Sequence, residues 1–406
     1  MERTFKVGLS GDGLRSDLRV AYTKGDRALS IEIRSKVEAL FGESLKQQAM
    51  EVCRALGVET GGLSLEDFGA LPYVVAARIE AVLKKAQPEL ELEHLPPMEK
   101  HCKVASARDR FRRSRLYIPG NQPKLLLNAG IHKPDGIILD MEDSVPPSEK
   151  EPTRYMVRNA LRVVDFFGAE RMVRINQGGQ GLKDLEFIVP HNVHLILIPK
   201  VESGDQVAAV DKRVAEISGD CGRKEPVFLM PIIESGRGIL KALEIVEASP
   251  ATVALTIGLE DYTADIGAER TVEGRESFYA RSVIVNAARA AGVQAIDTVF
   301  SDVGDMEGLT SSVLEAKSMG FDGKGCIHPR QIQPVHDGFA PTEGQIKKAK
   351  AIVRAYDEAQ EKGLGVVSLG SKMIDPPVVK RAHRTIDLAV AAGLLPADWK
   401  AQEHHP

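Results

Sequence analysis

Long apolar runs, paired cysteines and a surplus of charge of either sign are all missing from this 406-residue sequence. No stretch approaches the roughly 18 consecutive apolar residues that a bilayer crossing requires. The opening MERTFKVGLSGDGLRSD has no apolar core of the signal-peptide kind, so no membrane partner is expected. The four cysteines, Cys53, Cys102, Cys221 and Cys326, form no C-x-x-C pair, which argues against a zinc ribbon or a disulfide framework and points to a reducing cytoplasm. A net charge of −4 gives no basic face for nucleic acid, so small acidic ligands must be captured by individually placed arginines.

What is present suits a folded chain of two or three domains: 43% hydrophobic and 27% charged residues are near globular averages. Residues 1–86 read as a small α+β domain. LRVAY at 18–22 and ALSIEIR at 28–34 alternate in the manner of strands and, with TKGDR between them, predict a hairpin. A helix follows, with Val37, Leu40, Phe41, Leu45, Ala49 and Cys53 near one face, and a second spans about Leu71 to Ala86. Residues 87–113, with prolines, mixed charge and little periodicity, predict an exposed linker.

Beyond it a short apolar run, a polar turn and a helical segment recur. The runs are RLYIPG, GIILDME, MVRIN, LILIPKVE, VFLMPIIE, VALTIGLED, AIDTVFSD and GKGCIHP. Eight buried-looking strands alternating with helices predict a (β/α)8 barrel over residues 114–340, and no glycine-rich dinucleotide fingerprint follows the first strand. Residues 341–406 hold two helical segments flanking a stretch with Pro376 and Pro377 that lacks helical character, an appendage to the barrel.

Active sites of such barrels form where strands end, and these ends are acidic: Asp140, Glu142 and Asp143; Glu234; Glu260 and Asp261; Asp302. Arg174 and Asn176 close the third run. Glu234 and Asp261 lie 27 residues apart, one βα unit, so both carboxylates should face one cavity. Two such oxygens with open positions suit magnesium, which prefers hard oxygen ligands and keeps several waters. Singly, each acid could equally be a helix N-cap. Arg174 could be a structural ion pair to Asp140 or Glu142, a fork for a substrate carboxylate, or both. His328 reads as a hydrogen-bonded wall residue.

The segments RSRLYIPGNQPKLL, DGIILDMEDSVPPSEK, MVRIN, LIPKVES, PIIESGRGI, IGLEDYTADIG and GSKMID resemble the citrate lyase β-subunit group, which includes malyl-CoA and citramalyl-CoA lyases, and they cover nearly all of residues 114–380. The resemblance implies a trimeric or hexameric barrel enzyme that acts on a CoA thioester. It also implies magnesium on Glu234 and Asp261, and substrate held by Arg174, Arg115 and Glu142. An acid/base Asp375 would sit on a C-terminal helical lid that covers a neighbouring subunit's site. VEALFGESLKQ and LEDFGALPYVVAARIEAVL resemble the acyl-carrier γ-subunit of citrate lyase, which implies a covalent CoA-derived prosthetic group on a serine and a separate transferase subunit. Here the pattern departs: Arg15 falls at the attachment position, Ser16 one place later, and Ser10-Gly11-Asp12 copies the tripeptide at another spacing.

The reaction so implied is retro-Claisen cleavage of a 3-hydroxyacyl thioester, or its reverse. Citryl-CoA is the first choice because carrier-like and β-like units share one chain; malyl-CoA, β-methylmalyl-CoA or citramalyl-CoA cleavage and malyl-CoA thioester hydrolysis are the alternatives. A carrier or scaffold subunit is the competing class.

Overall fold

The computed structural model describes residues 3–9, 13–361, 367–369 and 372–402. The N-terminal unit runs β1 (Thr4–Val7), β2 (Leu18–Ala28), β3 (Ser30–Ser35), α1 (Glu38–Ala55), β4 (Thr60–Asp67) and α2 (Pro72–Ala86). Its sheet has the order β1-β2-β4-β3, with β3 parallel to β4 and the other pairs antiparallel. The expected hairpin does not form, because β2 runs on through the supposed turn and β4 lies between β2 and β3. The reason is burial: β4 carries Leu63 and Leu65, 1% and 0% exposed, and so takes a central place, while β3 is left at the edge.

On α1 the expected apolar face holds only in part. Leu45, Ala49 and Cys53 are buried, but Leu40 and Phe41 are 79% and 61% exposed. Helix α2 is buried along almost its whole length because it is sandwiched between the sheet and the barrel helix Lys150–Val163. Charged groups in that seam are paired: Arg78 reaches Asp17 at 2.9 Å and Glu149 at 3.2 Å, and Arg158 reaches Glu80 at 2.5 Å. Residues 87–113 are exposed at most positions, yet they are pinned to the barrel. Cys102 is buried, and Arg112 makes a forked bond to Glu170 at 2.6 and 2.8 Å.

The eight expected strands are all present: β5 (Ser114–Pro119), β6 (Gly136–Asp140), β7 (Glu170–Arg174), β8 (Leu195–Ile198), β9 (Phe228–Ile233), β10 (Ala254–Ile257), β11 (Gln294–Asp297) and β12 (Gly323–Cys326). They close into a barrel of parallel strands filled by Ile138, Met172, Leu197, Met230, Ile232 and Ile296. Two expected strand ends are corrected. Glu260 and Asp261 lie in the first turn of the helix Leu259–Asp265, and Asp302 lies five residues beyond the end of β11. Asp302 is exposed and accepts from the Gly304 amide at 2.8 Å, a local turn contact.

In the tail, the helices Glu343–Glu361 and Pro376–Ala391 share a core of their own that includes Ala349, Val353, Val379 and Ile386. The stretch between them contains the pair β13 (Val367–Leu369) and β14 (Lys372–Ile374). Pro376 opens the second helix instead of excluding it, since a proline at the first helical position loses no bond the helix would have made. Arg384 of this arm pairs with Asp322, which precedes β12, so the arm meets its own barrel at the end opposite the strand termini. No described helix is long and apolar enough to cross a membrane.

Candidate active site

A cavity of about 410 Å³ opens at the carboxyl ends of the strands, and Arg115, Asp140, Asp143, Arg174, Glu234 and Asp261 are among its lining residues. The backbone brings them there. Asp140 and Arg174 end β6 and β7 and are partners in register, so the guanidinium meets the carboxylate squarely: Nε to Oδ1 at 2.6 Å and Nη2 to Oδ2 at 2.7 Å. Nη1 lies 3.1 Å from Glu142, and the guanidinium carbon lies 5.4 Å from the centre of the Tyr117 ring. The structural and functional readings of Arg174 are thus compatible: two acids and an aromatic face hold it rigid, and its remaining N–H groups are left for a ligand.

Burial would raise the Asp140 pKa, but the bonds from Arg174 and the Ser144 hydroxyl outweigh it, and Asp140 is held below the usual range. Glu142 sits behind Arg174, 2% exposed and bonded by Gln177 at 2.7 Å, with its pKa raised mainly by burial. It is a support for the arginine.

Glu234 is 6% exposed and follows β9, and burial pushes its pKa up to about 7. Its Oε2 accepts from the Lys200 amide at 2.9 Å. A Cβ on Gly258 would sit 2.5 Å from Oε1, so glycine there is what gives the carboxylate its place. Asp261 pairs with the Lys200 ammonium at 3.1 Å. Partial burial pulls the Lys200 pKa down, but Asp261 and the neighbouring acids win and raise it. A cation already stands against Asp261, and the donors around it are hard oxygens, which fits a divalent ion held with open positions. Among the described residues no three His, Cys, Asp or Glu side chains converge into a complete protein cage.

Arg115 lies on the floor, 1% exposed. Its neighbours are Met230 Sδ at 3.0 Å and, at 3.5 Å, Thr256 Oγ1 and the Asp297 carbonyl, while its Nε has no bond partner among the described residues. Burial lowers its pKa. A buried guanidinium without a paired carboxylate, facing a cavity, is suited to an anionic ligand.

Lys200, Tyr117 and Gly258 are missing from the set that sequence reasoning picked out. Lys200 has φ of 49°, a left-handed conformation that is costly for a non-glycine residue and that accompanies the aiming of its amide at Glu234. A lysine ending an apolar run in LIPKVE was the available signal. Asp375 is exposed, caps the helix Pro376–Ala391 by accepting from the Val378 amide at 3.1 Å, and does not line this cavity. His328 caps the turn Pro329–Gln331, accepting from the Arg330 amide at 3.1 Å. Ser16, half-buried with φ of 58°, donates its amide to Phe68 at 2.8 Å, and Ser10 lies outside the described residues.

Residues 113–329 match the family described as HpcH/HpaI aldolase/citrate lyase, and residues 6–86 match an acyl-carrier family described as malonate decarboxylase delta subunit. The chain is 39% identical to citrate lyase subunit beta of Leuconostoc mesenteroides subsp. cremoris, over 71% of this chain and 97% of that protein. It is 36% identical to the human mitochondrial citramalyl-CoA lyase, over 69% of this chain and 86% of that protein. Among solved structures, CitE from Mycobacterium tuberculosis in complex with magnesium, acetoacetate and coenzyme A superposes with a TM-score of 0.57 at 29% identity, covering 70% of this chain and 99% of that one. Matched over more than half its length by the family, and aligned with nearly the whole of a citrate lyase β-subunit, the chain belongs to the HpcH/HpaI aldolase/citrate lyase family of carbon–carbon lyases.

Proposed function

We propose that this chain is a magnesium-dependent lyase that cleaves, or forms, the carbon–carbon bond of a 3-hydroxyacyl-CoA thioester bearing a terminal carboxylate, with citryl-CoA as the favoured substrate. The observation that carries the reading is the mouth itself: buried Glu234 and the nearby Asp261 face the same cavity as a rigidly held Arg174 and an Arg115 whose Nε has no partner among the described residues. Glu234 and Asp261 would hold the ion, which supplies positive charge for the hydroxyl and carboxylate oxygens of the substrate. Arg174, fixed by Asp140, would orient the carboxylate of the oxo-acid half, and Arg115 would meet a second acidic oxygen from below.

In cleavage the hydroxyl gives up its proton and becomes a carbonyl. The bond to the thioester α-carbon breaks, its electron pair passes to the thioester enolate, and the α-carbon then takes a proton. Asp375 would supply that proton in a neighbouring subunit's mouth, a role supported by its exposure and by the placement of its arm away from its own cavity. This makes a trimer or hexamer the expected working form. A cysteine nucleophile is disfavoured, since burial pushes the Cys326 thiol at the end of β12 up to about 12. The four free thiols suit a cytoplasmic setting. Covalent loading of Ser16 is not part of the reading, because its neighbour Asp17 is clamped by Arg78 within the seam.

The test is acetyl-CoA release from citryl-, malyl- and citramalyl-CoA, with magnesium and with chelator, for wild type and Glu234→Ala. Metal-dependent cleavage that the substitution abolishes is expected, with citryl-CoA the best substrate. A preference for malyl- or citramalyl-CoA would replace the substrate and keep the chemistry, whereas no cleavage of any member would overturn the reading for free CoA thioesters.

A further inference from the structure

We propose that the edge strand β3 is a two-fold contact between two copies of this chain, each β3 pairing antiparallel with the other about Ile33. Strand β3 bonds only to β4, and among the described residues no strand covers its outer edge. Its sequence, SIEIRS, has no proline, and its pairing with β4 runs without a bulge. A free backbone edge of this kind is a template for another strand.

The side chains say which strand. Ile31 and Ile33 alternate with Glu32 and Arg34, so the isoleucines share the face that α1 partly covers and the two charges share the open face. Glu32 and Arg34 are both exposed, and neither forms an ion pair within the described chain. Antiparallel pairing about Ile33 sets Glu32 opposite Arg34 of the second copy, and by symmetry does so twice. It also sets Ile33 opposite Ile33 on the helix side. Pairing about Glu32 would instead put like charges face to face, and a one-residue slip would set Glu32 against Ile33. The charges therefore choose both the partner and the register.

The flank of α1 fits the same arrangement. A groove of about 460 Å³ between β3 and α1 is lined by Ile31, Ile33 and Leu40, with Glu43 and Lys46 along it. Leu40 and Phe41, 79% and 61% exposed, stand at the helix start. Two copies related by the β3 axis bring these apolar groups toward each other over the joined sheet, which removes them from water. If the barrels form trimers, this contact joins two trimers into a hexamer.

The experiment is the mass of the full chain in solution by sedimentation. Wild type is expected as an assembly with an even number of chains. Glu32→Arg alone or Arg34→Glu alone should raise the dissociation constant about tenfold, since each change turns two attractions into repulsions, and should shift the mass toward half at low micromolar concentration. The double exchange Glu32→Arg with Arg34→Glu should restore the wild-type mass, which separates a lost contact from a damaged fold. A monomer or an odd-numbered wild-type assembly, single variants of unchanged mass, or a double exchange that fails to restore it would each overturn the proposal.

Discussion

The seam between the N-terminal unit and the barrel and the mouth of the barrel both concentrate charge in buried or half-buried places, but they balance it differently. In the seam, Arg78 is shared by Asp17 and Glu149, and Arg158 by Glu80 and Glu93. At the mouth, Asp140, Glu142 and Asp143 share Arg174 and Asp261 meets Lys200, but Glu234 has no cationic side chain in an ion pair with it among the described residues. A buried cluster whose acids each meet a cation holds two bodies together, whereas one that leaves a buried carboxylate without a cation is incomplete without a ligand.

The difference can be broken first at Glu234. Glu234→Gln should cut lyase activity roughly 10³-fold, while metal-free stability at pH 8 should hold or rise by up to about 3 kcal/mol, since the cost of ionising a buried carboxylate disappears. Rates and denaturant melts of one preparation check both; a clear loss of stability would make this acid structural and erase the contrast.

Arg158→Met is the converse. It leaves Glu80 buried with Lys84 and the His94 amide, each 3.4 Å away, and should cost about 3 kcal/mol or more while kcat of the folded protein stays near wild type. Urea unfolding followed with initial rates distinguishes this from a seam that also tunes catalysis.

Arg174→Lys tests the fork at the mouth. An ammonium cannot reproduce the two-pronged bond to Asp140, so kcat/KM should fall about thirtyfold with a rise in KM. An unchanged KM would mean that substrate does not meet this guanidinium.

The smallest effect is in pH. With its folded pKa raised to about 7 from the ordinary 4.5, Glu234 contributes stability that is full below pH 4.5 and lost as pH rises through 7. A cation at the mouth offsets that loss, so added magnesium should stabilise the protein by about 1–2 kcal/mol more at pH 8 than at pH 6. Thermal melts with magnesium and with chelator read it directly; equal shifts at the two pH values would remove Glu234 from the ion's partners.

Periodicity and strand-end chemistry alone determined much of this protein. Apolar runs of strand length alternating with helices dictate a barrel, and acids placed just after those runs must cluster at one end, because parallel strands all finish there. Both conclusions depend on local order along the chain, which one sequence carries. The neighbours of an edge strand do not: LRVAY and SIEIR alternate equally well beside any partner, and only the burial of Leu63 and Leu65 decided that β4 should separate them. Nor could spacing reveal that Lys200 would turn its amide to Glu234 through a left-handed backbone, or that α2 would be covered on both sides with Arg78 and Glu80 paired across the seam. Such contacts join residues tens of positions apart, and their energy exists only once the intervening chain has packed, so it was the tertiary structure that assigned them.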